Sequence, residues 1–277
     1  MVSSFLITLR EGLETSLIIS ILLTYLTKTG RRSQSGAVWA GTGAAIAVCL
    51  VVGTAVFVVV DGLNGNVEYA VEGGIALVAT VVLTHMVFWM RTHARSLGAE
   101  LRTKVGARPE RHVLAVIAFV AVLREGLETV LFLLSASTET PSGTAVVVGG
   151  LAGLALSVVI GVAVYRGGTR FNLRTFFSVT AVLLLLFAAG LAGKTVHELR
   201  VLVGWESGWL VSPVWTIESG IWAEGTVYDF ARGLFGWHRS PEYLRVIAYV
   251  AYLIPVIVLY RRGASRFEVR KEAVQVA

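Results

Sequence analysis

Cys49 is the only cysteine in the chain. A single thiol forms no intrachain disulfide, so the fold has no covalent staple and cysteine says nothing about redox compartment. Charge is also scarce. Asp, Glu, Lys and Arg make up 15% of the 277 residues, where a water-soluble domain carries about 25%. No nucleophile–base pair and no cofactor motif stand out, so an enzyme is not expected. Soft metal donors do not cluster, since Cys49, Met86 and Met90 are scattered. The first residues lack the basic n-region of a cleaved signal peptide, and Arg10, Glu11 and Glu14 interrupt what would be its apolar core. They are expected to form a retained first span.

Apolar sequence is plentiful. Mean hydropathy is +0.73 and 55% of residues are hydrophobic. Residues 33–60, 140–165 and 175–193 contain no Asp, Glu, Lys or Arg. A helix needs roughly 20 apolar residues to cross the hydrocarbon core, so each run is long enough. The expectation is an all-α polytopic membrane protein of seven transmembrane helices, near 4–27, 36–60, 68–90, 112–136, 143–165, 175–197 and 243–260. The first and fourth are weakest by hydropathy, because both contain charge.

The formal charge of +6 reads as an orientation signal in lipid, not as a nucleic-acid footprint. Lys28, Arg31 and Arg32 follow span one. Arg91, Arg95, Arg102, Lys104, Arg108 and Arg111 follow span three, Arg166, Arg170 and Arg174 follow span five, and Arg261, Arg262, Arg266, Arg270 and Lys271 follow span seven. Seven spans put all four groups on one side, and Lys and Arg collect on the cytoplasmic side. The N-terminus is expected outside the plasma membrane and the C-terminus inside. Between spans six and seven, residues 201–242 hold Trp205, Trp209, Trp215, Trp222 and Trp237. Tryptophan favours the membrane–water boundary, so a re-entrant or interfacial outer loop is expected. Its Glu206, Glu218, Glu224 and Asp229 offer a vestibule or a partner surface.

Leu9 to Thr15 reads Leu-Arg-Glu-Gly-Leu-Glu-Thr and recurs identically from Leu123 to Thr129, 114 residues later. Each copy opens a group of three spans. Three is odd, so the second group lies inverted relative to the first, a transporter architecture with the substrate site near the midplane. The chain therefore divides into a first three-helix repeat with its basic loop (1–110), a second repeat (111–200), the Trp-rich loop (201–242) and a seventh helix with a basic tail (243–277), all one membrane domain. At about 1.5 Å per residue, both motifs lie roughly 10–17 Å from the outer surface. They can share one site.

Glu11 and Glu14, like Glu125 and Glu128, are three apart and project from one helix face. Arg10 can pair with Glu14, and Arg124 with Glu128. Gly12 and Gly126 allow helix backbones to approach closely. One glutamate per motif, Glu11 and Glu125, stays in surplus. A charge at the centre of a span costs roughly 2.5–3.5 kcal/mol, so six of them are tolerable only if they pair or serve a ligand. Carboxylates suit hard cations. The residues alone fit iron, magnesium, calcium, manganese or a proton relay, and helix-gluing ion pairs with no ligand remain a structural alternative.

In span three, Glu72 is a candidate collecting ligand above the main site, or an exposed helix-start glutamate. Glu68 reads as a helix-start residue. His85 is expected to hydrogen bond to a neighbouring helix, and His197 and Glu198 to sit at the boundary that ends span six.

With two such motifs in spans one and four of seven, the sequence resembles the iron permease family, which spans fungal high-affinity and bacterial Efe-system permeases. His197-Glu198-Leu199 and the run 236–252 add to the likeness, which covers nearly the whole chain. The resemblance implies iron ligation by Glu11, Glu14, Glu125 and Glu128, and by Glu72 as a third-span acid. It implies iron as transported substrate, no permanently bound cofactor, and ferric ion taken after oxidation. This chain has no His-rich or Cys-rich oxidase site, so an extracytoplasmic oxidase, peroxidase or iron-delivery protein is the expected partner beside the lipid bilayer. The rival readings are transport of lead or manganese, and a non-transporting subunit that docks an outer oxidase. The sequence sets no oligomeric state.

Overall fold

The computed structural model describes residues 1–93, 110–139, 143–166 and 173–275. Among them are seven long helices and a short one: α1 (Val2–Lys28), α2 (Ser35–Asp61), α3 (Asn66–His93), α4 (Arg111–Glu139), α5 (Gly143–Tyr165), α6 (Leu173–Leu202), α7 (Thr226–Phe235) and α8 (Tyr243–Gln275). No strand occurs among the described residues, apart from one isolated bridge between Pro213 and Glu242. Of the basic segments, Arg95, Arg102, Lys104, Arg108 and Arg170 lie outside the described residues, as do the side chains of Arg174, Arg266, Arg270 and Lys271.

Five helices, α2, α3, α5, α6 and α8, are long and apolar enough to cross a membrane. The packing is that of a membrane protein. In α2 and α5 the large side chains face outward, with Leu50, Val51, Leu151 and Val159 each more than 60% exposed. The small ones face the bundle. Gly41, Ala45, Cys49 and Gly53 line the inner face of α2, and Gly149, Gly153, Ser157 and Gly161 that of α5, every fourth residue in each. Lipid provides no hydrophobic drive between helices, so association depends on close approach at small residues.

Two helix pairs are built this way. α5 lies along α1, with Gly149 against the Met1 carbonyl, Gly153 against Phe5 and Thr8, and Gly161 against Ser16. α2 lies along α4, with Gly41 against the Ala115 carbonyl and Gly53 against Val130. Numbers rise together within each pair, so the partners run parallel. α3 and α6 run antiparallel, with Glu72 beside Lys194 and Thr80 beside Ala188. Ile7, Leu83, Met86, Phe132, Leu184 and Leu191 are fully buried between these elements.

A Cβ added at Gly149 or Gly41 meets backbone carbonyls, which cannot rotate away. Gly149→Ala and Gly41→Ala are each expected to cost about 1–3 kcal/mol through overpacking. Gly74→Ala, with open space around it, is expected to leave the detergent melting temperature unchanged.

The Trp-rich segment is more deeply involved than a surface loop. Within it, α7 buries Tyr228, Ala231, Gly233 and Leu234 against the bundle, and the Ser3 hydroxyl donates to the Gly233 carbonyl at 2.5 Å. Gly236 ends α7 in the left-handed region, at φ 67°. There it presses against Gly190 of α6, an approach that needs both residues to lack a side chain. Trp215 stacks on Trp237 with ring centroids 5.2 Å apart.

Candidate metal centre

The first motif lies at the middle of α1, inside the bundle. Arg10, Glu11 and Glu14 are 1%, 1% and 6% exposed. Arg10 Nη1 lies 3.0 Å from Glu11 Oε1, and Nη2 lies 3.1 Å from Glu14 Oε1, so one guanidinium bridges both carboxylates of its motif. Nη1 also donates to Met86 Sδ of α3 at 2.8 Å. The sequence reading did not foresee that sulfur contact, because 76 residues separate the partners.

α4 brings the second motif to the same place. Glu11, Glu14 and Glu125 each offer a carboxylate oxygen within 4.8 Å of the others. Glu125 is 4% exposed. Buried oxygens Glu11 Oε2 and Glu125 Oε2 accept no hydrogen bond from the described residues. An unpaired carboxylate oxygen in a low-dielectric interior is costly, so three clustered carboxylates, of which Arg10 bridges only Glu11 and Glu14, form a centre that a bound cation would stabilise. Glu128 stands at its edge, with its Oε1 2.9 Å from Arg124 Nε.

The two copies differ in surroundings. Arg124 is 43% exposed and its guanidinium lies over the Trp89 ring, 4.8 Å from the centroid. The glycines are placed alike: a Cβ at Gly12 would overlap the Ser157 hydroxyl of α5, and one at Gly126 would overlap Cys49 Sγ of α2.

Glu72 is not part of this cluster. It lies in a second polar cavity of about 240 Å³, at the end of the bundle where α3 and α8 begin and α4 and α6 finish. That end is roughly 21 Å from Glu125, by the rise of α4 to Glu139. Lys194 Nζ lies 2.6 Å from Glu72 and 3.9 Å from Glu198. His197 Nδ1 is 3.2 Å, and Arg200 Nη2 2.7 Å, from Glu242. His197 and Glu198 thus line the cavity, with Glu242 and Lys194 as their respective partners. Glu68 lies in the first turn of α3, as a helix-start acid. His85 departs from expectation. It is exposed on α3 and bonds to none of the described residues, because its face of α3 packs against no other described helix.

The sequence reading also missed Glu139. Its Oε1 lies 3.1 Å from Arg245 of α8, and its Oε2 3.4 Å from His238. Burial alone would raise its pKa, but Arg245, with His238 and Lys194 near it, outweighs burial and holds it at about 2. Burial, the largest cause, lowers His238. A depressed carboxylate pKa gives stability that is full above the unfolded value near 4.5 and lost as pH falls through 2. The clamp of Glu139 on Arg245 should therefore hold throughout pH 7 to 4. Trp237, next to His238, is expected to keep its fluorescence over that range, and to change it at pH 7 already in Glu139→Gln.

The profile of the iron permease FTR1 family matches residues 1–265. The ferrous iron permease EfeU of Yersinia pestis is 33% identical over 261 residues, covering 92% of each chain. The protein of that name from Escherichia coli O6:H1 is 36% identical over 274 residues, covering 94% of this chain and 97% of the relative. No solved structure matches.

Proposed function

The chain belongs to the iron permease FTR1 family, transporters and not enzymes, and from that premise we propose that it imports iron through the carboxylate centre of its two repeated motifs. The carrying observation is the convergence of Glu11, Glu14 and Glu125, the first two bridged by one guanidinium, in the middle of an apolar bundle. Glu128 joins them as the fourth carboxylate, and Glu72 acts earlier, as a collecting acid in the second cavity.

The proposed architecture is seven spans, with α1 and α4 added to the five apolar ones, built as two inverted three-helix repeats. Paired contacts support it. The contact of Gly41 with Ala115 recurs as Gly149 with Met1, and that of Gly53 with Val130 as Gly161 with Ser16. Each pair is related by 108 residues in one helix and 114 in the other. Short turns reverse the chain between α1 and α2, and α2 runs parallel to α4. α1 and α4 therefore run in opposite directions, as inverted repeats require. With the basic segments inside, the N-terminus is outside, the C-terminus is cytoplasmic, and the second cavity opens outward.

The relatives' name specifies ferrous iron. Three carboxylates form a hard donor set that suits the ferric ion. In this reading an outer oxidase, peroxidase or delivery protein supplies ferric iron, which crosses. Cells stripped of other iron uptake and given this chain should regain uptake of radiolabelled iron despite an excess of manganese or lead. Suppression by an equal concentration of either metal would move the reading to another cation.

A further inference from the structure

We infer that the exposed face of α4 is a docking surface for a second copy of this chain, in which Arg124 of each copy pairs with Glu128 of the other. The inference rests on the reading of α4 as a membrane span.

The two motif helices carry the same seven residues, yet their faces are covered differently. On α4, Val116, Val120 and Leu127 are 56%, 58% and 40% exposed, and Arg124 lies in line with them at 43%. The residues 114 earlier on α1 are Val2, Leu6, Arg10 and Leu13, and none of them is exposed. α7 meets α1 where the Ser3 hydroxyl bonds to Gly233, and Met86 of α3 accepts from Arg10. On α4 the matching side chains stay exposed among the described residues.

Three valine and leucine side chains facing lipid need no explanation. An arginine among them does. It sits twelve residues into the proposed span 112–136, near the midplane, where a charge facing acyl chains is costly and ionisable groups almost always face protein or water. Trp89 beneath and Glu128 beside it satisfy only part of the guanidinium.

Charge complementarity selects the occupant. A two-fold axis along the membrane normal sets each residue at the same depth as its copy and makes an interface self-complementary. Arg124 and Glu128 are one turn apart, roughly 6 Å along the axis, within the reach of an arginine side chain. Two arginines and two glutamates then close a neutral ring across the seam, and polar groups of this kind hold helices together in membranes. The dimer would bring Glu128, at the edge of the metal centre, under the control of the neighbouring copy.

The test is disulfide trapping of the full chain in native membranes. Val120→Cys and Leu127→Cys are expected to give cross-linked dimers under mild oxidation. Val159→Cys on the lipid-facing side of α5 and the wild type, whose Cys49 is buried, should give less than a tenth as much. In lipid nanodiscs the wild type should weigh two chains, and Val120→Arg should shift it to one. Cross-linking no greater than at Val159→Cys, or a wild-type mass of one chain, would overturn the proposal. So would modification of Val120→Cys by a membrane-impermeant thiol reagent as fast as a loop cysteine, since that face would then line water. None of these measurements uses iron, so they stand or fall apart from the transport reading.

Discussion

Glu125→Gln should abolish iron uptake in cells, by about 100-fold or more, while raising the melting temperature of the purified protein. The two effects have one cause. Glu125 is a buried carboxylate with an unpaired oxygen and two other carboxylates beside it. Without a cation it destabilises the fold, and a neutral amide of the same shape relieves that cost. The same amide removes a charge that a metal needs. Loss of an outer-shell partner alone lowers metal affinity by about 10–100-fold, and loss of a carboxylate ligand should exceed that. Glu11→Gln should lose uptake alike but without the gain in melting temperature, because its Oε1 pairs with Arg10 and breaking a buried pair is destabilising. The gain in stability accompanying loss of function in Glu125→Gln separates a binding centre from a structural ion-pair network. Uptake and melting that fall together in Glu125→Gln would point to the network.

Arg10→Ala should be among the most destabilising single changes in the chain, and Arg124→Ala one of the mildest at a charged motif residue. Arg10 is 1% exposed and compensates Glu11 and Glu14 at once. Removing one partner of a buried pair costs about 3–5 kcal/mol, a large part of the usual 5–15 kcal/mol of stability. Arg124 holds a single carboxylate from a half-exposed position. Polar interactions between membrane helices average about 0.6 kcal/mol, and roughly that loss is expected of the protein in detergent. Thermal melting of the two variants side by side checks the contrast. Equal shifts would mean that the two motifs have equivalent surroundings in solution.

That contrast marks where the sequence stops being legible. The membrane class followed from charge-free runs, and the likeness to iron permeases from two identical heptads in place. Identical heptads cannot reveal that one arginine is buried and the other exposed, because burial comes from residues distant in sequence, such as Met86 beside Arg10. α7 itself was hidden in a segment rich in Gly, Ser and Trp with no long apolar run. Its burial depends on Gly236 meeting Gly190, a contact between distant residues. Nothing near Glu139 in the sequence marks its role, because its partner Arg245 lies 106 residues away. The small residues at every fourth position in α2 and α5 were a readable signal. Their recurrence after 108 residues repeats the message of the motifs.

Reconstitution is the measurement closest to the passage of iron through the carboxylate site. Purified chain in liposomes would be supplied with radiolabelled ferric iron as a soluble chelate, comparing wild type with Glu11→Gln and Glu125→Gln. Accumulation by the wild type, with both variants at the level of empty liposomes, is the predicted result. Variants that accumulate iron as fast as the wild type would contradict it.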